Sequence, residues 1–258
     1  MASYAELEGV KLWYDERGDG YPLVLMHGGF TDSRDFAGNL DNLASQFRLL
    51  LPERRGHGHT ADVVGPITLE VMARDTIAFL DKVVGGASHL VGYSAGAAVA
   101  LRVALERPDL VNRLVLISCA FHSDGMIMRP TANGAPPPQL VAAYGEVSPD
   151  GGDHLPVVIA KIAQSLDEDP GIHATDLKAV GCRTLVLAAD DDIVTLEHTV
   201  ALYRGIPDAQ LAILPEATHL LLFEKPRECT ELVTQFLTSD PSPTFMPIRR
   251  ALQTTGPA

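Results

Sequence analysis

The sequence predicts an α/β protein built on a mainly parallel sheet with helices on both faces. Short apolar runs of strand length recur along the chain, most of them cut off by glycine, proline or charged residues. Between several of them lie stretches with apolar residues at helical spacing. Strand and helix patterns that alternate in this way describe βαβ units, whose crossovers cover both faces of a parallel sheet.

The elements follow in order. Residues 4–8 and 11–16 alternate partially around Gly9-Val10 and read as a hairpin. Leu23-Val-Leu-Met26 is an apolar run stopped by His27-Gly28-Gly29, which suits a strand buried on both faces. Residues 49–52, 89–92, 113–117, 183–188 and 210–214 repeat that pattern. Residues 68–83 place Leu69, Met72, Ala73, Ile77 and Leu80 on one helical face, with Thr68 as N-cap. A second helix is expected over 95–106, ended by Pro108, and a third over about 227–237 after Pro226. Residues 122–180 break the alternation. They hold no strand-like run, begin with Gly125, Pro130, Gly134 and Pro136-Pro-Pro138, and continue with helical candidates at 139–146, 155–167 and 175–180. This reads as a helical insertion, too small for its own core. The expected organisation is therefore a core of residues 1–121 and 181–238, a helical insertion of 122–180 and a proline-rich tail of 239–258, which is either docked by Phe245, Met246 and Ile248 or of low order.

With 258 residues, 46% hydrophobic and 21% charged, the chain can bury one sizeable core. Its formal net charge of −13 argues against nucleic acid and anionic membrane surfaces as partners. Cys119, Cys182 and Cys229 lie far apart, which predicts reduced thiols and a cytoplasmic setting. The first ten residues lack the basic and apolar regions of a signal peptide, and no apolar stretch is long enough to span a bilayer.

Gly92-Tyr-Ser94-Ala-Gly96 joins an expected strand to an expected helix. A serine on such a sharp turn is pushed clear of the sheet, and the helix start aims free N–H groups at the same spot. Its hydroxyl needs a base. Of the nine histidines, His219 follows the last expected strand, and loops at the carboxyl ends of parallel strands share one crevice. A carboxylate must orient that base. Asp190-Asp191-Asp192 end another strand; no further metal ligands stand at short spacing, so no metal is expected. Two backbone donors should face a developing oxyanion: Ala95 N–H, and Gly29 N–H from His27-Gly28-Gly29-Phe30, with Phe30 N–H as competitor.

Together these parts resemble the α/β-hydrolase superfamily over nearly the whole chain to about residue 237. The resemblance rests on Leu25-Met-His-Gly-Gly-Phe30, Arg55-Gly-His-Gly58, Gly92-Tyr-Ser-Ala-Gly96, Arg113-Leu-Val-Leu-Ile117, Leu187-Ala-Ala-Asp-Asp-Asp192 and Leu214-Pro-Glu-Ala-Thr-His219. It implies an eight-stranded sheet with a cap after the sixth strand, and it selects Asp192 as the acid of a Ser94, Asp192, His219 triad. Ala189 and Glu53 depart from the family pattern, which has glycine and aspartate there; the second change should touch loop support. The implied activity is serine hydrolysis of a small or medium, mostly uncharged carboxylic ester or lactone, with no cofactor. Phe30, Tyr144, Leu155 and Ile159 are the expected substrate contacts, and Met126, Ile127, Met128 and Leu140 further candidate walls. Arg129, Lys161 and Lys178 are the few basic residues of the cap, so a strongly anionic substrate is not expected. The same constellation also serves cofactor-free haloperoxidase or perhydrolase chemistry and C–C bond hydrolysis, and the fold also occurs in non-catalytic ligand-binding proteins.

Overall fold

Two antiparallel strands, β1 (Ser3–Leu7) and β2 (Val10–Arg17), open the chain, with Leu7 facing Val10 across a turn in which Gly9 takes φ +78°. That positive φ is open to glycine without steric cost. The structure, a computed structural model, describes residues 1–169, 171–242, 244–246 and 248. Six further strands follow: β3 (Tyr21–Met26), β4 (Phe47–Pro52), β5 (Ser88–Tyr93), β6 (Val111–Ile117), β7 (Arg183–Asp191) and β8 (Ala209–Thr218). They form one eight-stranded sheet in the order β1-β2-β4-β3-β5-β6-β7-β8. β2 pairs antiparallel with β4, and every neighbour from β4 to β8 is parallel.

The central strands are apolar on both sides because both sides are covered. In β3, Leu23 and Leu25 enter one core layer and Val24 and Met26 the other. Leu114 and Leu116 of β6 alternate with Val115 and Ile117 in the same way. This is the period of two that a pleated strand imposes. One layer is closed by α1 (Leu69–Phe79) and α2 (Ala95–Glu106), which contribute Met72, Phe79, Val99 and Val103. Thr68 caps α1, its hydroxyl accepting from Val71 N–H.

β6 leads into the cap, which carries α3 (Pro138–Gly145) and α4 (Leu155–Glu168). The segment expected to be helical at 175–180 forms only a 3-10 turn over Leu177–Ala179. Ion pairs fasten cap to core: Arg34 Nη1 to Glu146 at 2.6 Å, and Lys161 Nζ to Asp62 at 2.6 Å. After β7 comes α5 (Leu196–Gly205), which the periodicity did not predict, and after β8 come α6 (Leu221–Glu224) and α7 (Pro226–Thr238). Cys229, Val233 and Phe236 of α7 close the second core layer. All three cysteines are free. Phe245, Met246 and Ile248 are exposed, so they do not dock the tail; Pro243, Pro247 and Pro257 lie outside the described residues. Among the described residues, no helix is long and apolar enough to cross a membrane.

Candidate active site

The carboxyl ends of the parallel strands meet around a cavity of about 430 Å³. Ser94 sits on the turn between β5 and α2 with φ +52° and ψ −117°, a conformation that a non-glycine residue rarely adopts. Crowding shapes this turn. A Cβ on Gly96 would lie 2.1 Å from the Met26 carbonyl oxygen, and one on Gly92 would lie 2.4 Å from Ala97 Cα. Glycine at both positions therefore lets β3, β5 and α2 converge. The Ser94 hydroxyl does not cap α2. It lies 2.9 Å from His219 Nε2 instead.

His219 follows the last strand. Its Nδ1 is 2.7 Å from Asp192 Oδ1, and Tyr93 Oη donates to its backbone carbonyl at 2.7 Å. Of the three consecutive aspartates, Asp190 and Asp191 are exposed and Asp192 is buried against His219. Asp192 also accepts from Ser118 Oγ at 2.5 Å and from Val194 N–H at 3.1 Å. Burial pushes its carboxyl up, but the hydrogen bonds from His219 and Ser118 bring it, on balance, below the ordinary carboxylate range. The anionic form of Asp192 fixes the proton on His219 Nδ1 and leaves Nε2 as an acceptor for the Ser94 hydroxyl. A serine hydroxyl, an imidazole and a carboxylate are thus connected in the order that a nucleophile, its base and an orienting acid require.

Gly29 and Ala95 both line the cavity, and a Cβ on Gly29 would touch Ala95 Cβ at 3.5 Å, so the two backbones are adjacent. Ala95 opens α2, where N–H groups lack intrahelical acceptors. Phe30, at φ +64°, lines the cavity beside them.

The other expected substrate contacts are placed differently. Tyr144, Leu155 and Ile159 do not reach the cavity. Tyr144 is buried with Oη donating to the Gly56 carbonyl at 3.2 Å, and Leu155 and Ile159 pack into the core layer. The cause is the helix period. The first turn of α4 is seated on the core, and its cavity-facing positions come one to two turns later, at Ile162, Ser165 and Leu166. Met126 and Met128 line the cavity; Ile127 points to solvent and Leu140 packs elsewhere.

Glu53 is fully buried and ties loops together, accepting from Ser33 Oγ at 2.7 Å and from His59 N–H at 2.6 Å. That is the loop support expected of it. Sequence reasoning missed Ser118, Arg54 and His57, all of which line the cavity. Ser118 follows the end of β6, and strand ends that converge on one crevice were the available signal. No group of side chains that can hold a metal occurs among the described residues.

A model of the alpha/beta hydrolase family matches residues 23–232, and the chain belongs to that family. It is 28% identical over 257 residues to the dihydrolipoyllysine-residue acetyltransferase component of the acetoin cleaving system of Pseudomonas putida, covering 90% of this chain and 68% of that protein. It is 28% identical to the pyrrolizixenacetamide deacetylase of Xenorhabdus hominickii, covering 88% and 94% of the two chains. The enol-lactonase of Burkholderia xenovorans LB400 superposes with a TM-score of 0.76 at 23% identity, over 92% of this chain and 100% of that one. That likeness concerns the fold.

Proposed function

We propose that this protein is a serine hydrolase that cleaves a small or medium carboxylic ester or lactone through an acyl-enzyme on Ser94. The carrying observation is the continuous hydrogen-bond chain from Ser94 Oγ through His219 to Asp192, opening on a mainly apolar cavity. His219 Nε2 takes the hydroxyl proton as Ser94 Oγ attacks the carbonyl carbon. The carbonyl oxygen becomes an oxyanion facing Ala95 and Gly29 N–H, and Asp192 stabilises the imidazolium. The intermediate expels the alcohol oxygen, which takes the proton from His219. Water then attacks the acyl carbon, gives a proton to His219, and the returning proton restores the Ser94 hydroxyl.

The family membership and relatives that include a deacetylase support this reading. The three free cysteines agree with a cytoplasmic protein. The test is hydrolysis of p-nitrophenyl esters from acetate to decanoate by wild type and Ser94→Ala. Turnover that vanishes in the variant supports the reading, and the best chain length sizes the cavity. Retention of half the activity overturns it.

A further inference from the structure

Arg54 and Arg55 are neighbours with opposite surroundings. Arg55 donates from Nε and Nη2 to the Asp75 carboxylate at 2.6 and 2.8 Å. Arg54 is 3% exposed and forms no ion pair among the described residues. Its Nη2 donates to the Gly28 carbonyl at 2.7 Å and lies 3.1 Å from His27 Nδ1, while Nε and Nη1 have no acceptor among the described residues. The Gly28 carbonyl does not depend on it, because His27 Nδ1 also donates there at 2.8 Å. The tautomer follows from His27 Nε2, which accepts the Arg54 backbone N–H at 3.2 Å. Burial pulls the Arg54 guanidinium down to about 9, so it stays cationic at neutral pH. An unpaired buried cation is expensive unless something completes it.

What can complete it is set by where it lies. Arg54 is part of the wall of the cavity that holds Ser94. The other charged side chains of that wall are occupied: Arg129 reaches Asp124 at 3.4 Å, and Asp169 accepts from Gly171 N–H and lies 3.8 Å from Arg102. Asp35, the carboxylate whose field Arg54 feels, is held by Gly28 N–H at 2.8 Å and Thr31 Oγ1 at 2.6 Å. His57, next to Arg54 in the wall, is kept neutral by burial and by the Arg54 charge, its value falling to about 3. Its Nδ1 donates to the Arg55 carbonyl, so its unpartnered Nε2 is an acceptor that suits a water or hydroxyl hydrogen rather than an anion.

We propose that Arg54 is the subsite for a single carboxylate on the substrate, which makes that substrate a half-ester, or a lactone bearing a free carboxyl group. The proposal rests on hydrolysis at Ser94 and deepens it. It is compatible with an otherwise uncharged substrate. Ile67, Met72, Ile162 and Leu166 offer an apolar wall to the rest of the molecule. Lys161, a cationic side chain of the cap, is spent on Asp62.

Two measurements test it. The first compares p-nitrophenyl hydrogen glutarate with p-nitrophenyl 5-methylhexanoate, in which an isopropyl group replaces the carboxylate. Wild type should prefer the half-ester at least tenfold in kcat/KM, Arg54→Met should reverse that preference, and Arg54→Lys should restore part of it. The second is calorimetric binding of glutarate to Ser94→Ala, which should weaken at least tenfold in Ser94→Ala/Arg54→Met. Arg54-dependent glutarate binding without turnover of either ester upholds the subsite and removes the hydrolase reading. Turnover of the neutral ester with no preference for the half-ester upholds the hydrolase and overturns the subsite. If Arg54→Met does not fold, the wild-type preference and wild-type glutarate affinity decide alone: a preference below unity, or no glutarate binding, overturns it.

Discussion

Two stretches of the cavity wall treat their polar atoms in opposite ways. Around Ser94, His219 and Asp192 the functional side-chain atoms are paired, and Asp192 alone receives hydrogen bonds from His219, Ser118 and Val194. At the Arg54–His57 corner, three buried nitrogens have no hydrogen-bond partner among the described residues. Networks that are fully satisfied rigidify a site, and partly satisfied ones carry a desolvation penalty. The first stretch is therefore complete before any ligand arrives, as a preorganised reaction centre must be. The second is complete only once something else supplies acceptors to Arg54 and a donor to His57.

The largest effect that can break this contrast is on the paired side. Ser94→Ala should lower kcat by on the order of 10⁴-fold or more, because a nucleophile, its base and its acid act as a unit. The hydroxyl's side-chain partner is His219, so thermal unfolding should change little. A variant that unfolds as wild type does and still turns over esters removes Ser94 from the reaction.

Next in size is the stability difference between the two arginines. Arg55→Met leaves a buried Asp75 without its partner and should destabilise the fold by about 3–5 kcal/mol in urea titration. Arg54→Met removes a cation that has no ion partner and should be neutral, or stabilising by about 1–3 kcal/mol. Burial disfavours the charged form of Arg54, so its charge opposes folding throughout the neutral range, and the advantage of Arg54→Met over wild type should hold across it. Equal losses in both variants would mean that Arg54 is satisfied within the protein.

A smaller change on the paired side concerns Ser118. Ser118→Ala takes a buried hydrogen bond from ionised Asp192 and should cost about tenfold in kcat, roughly 1.4 kcal/mol. Asp192 has a folded value below its unfolded one, so the stability this bond contributes is present above about pH 4 and lost as pH falls below it. Wild type and variant should converge in stability in acid. A gap that persists below pH 3 would point to packing rather than charge.

These atoms were unequally legible in the sequence. The central strands could be read because both their faces are buried, which makes each a continuous apolar run such as Leu23–Met26 in β3, whereas β1 and β2, exposed in part, showed only as alternation around Gly9. α2 could be placed to the residue, because Gly92 and Gly96 mark the crowded turn that launches it. α5 was missed since it buries only Thr199 and Leu202 and so shows no apolar stripe; Thr195, which caps it, was the available cue. Strand order and turn context pointed to Ser94 and His219 and to the Asp190–Asp192 run. Asp192 needed the family pattern to separate it from Asp190 and Asp191, and the physical distinction between them is burial, which sequence does not display. The cap contacts failed for the same kind of reason: an apolar stripe shows that a helix is seated, not which turn of it meets the cavity. Arg54 and Arg55 are identical letters side by side, and only the tertiary placement of Asp75 separates a paired guanidinium from an unpaired one.

Tyr144 gives the smallest effect, at the border of the unpaired corner. Its Oη donates to the carbonyl of Gly56, the residue between Arg55 and His57, and its ring is buried in the core layer. Tyr144→Phe keeps the ring and deletes the donor, so it should cost about 0.5–1.5 kcal/mol of stability. Because Tyr144 does not line the cavity, KM for the best p-nitrophenyl ester should stay within about twofold, well under the tenfold that 1.4 kcal/mol represents. A raised KM at unchanged stability would put the phenol in contact with substrate and move the cavity's boundary one turn along the cap. Lost stability at constant KM would instead show that this part of the cap serves to hold the Arg55–His57 loop, and with it the unpartnered nitrogens, in place.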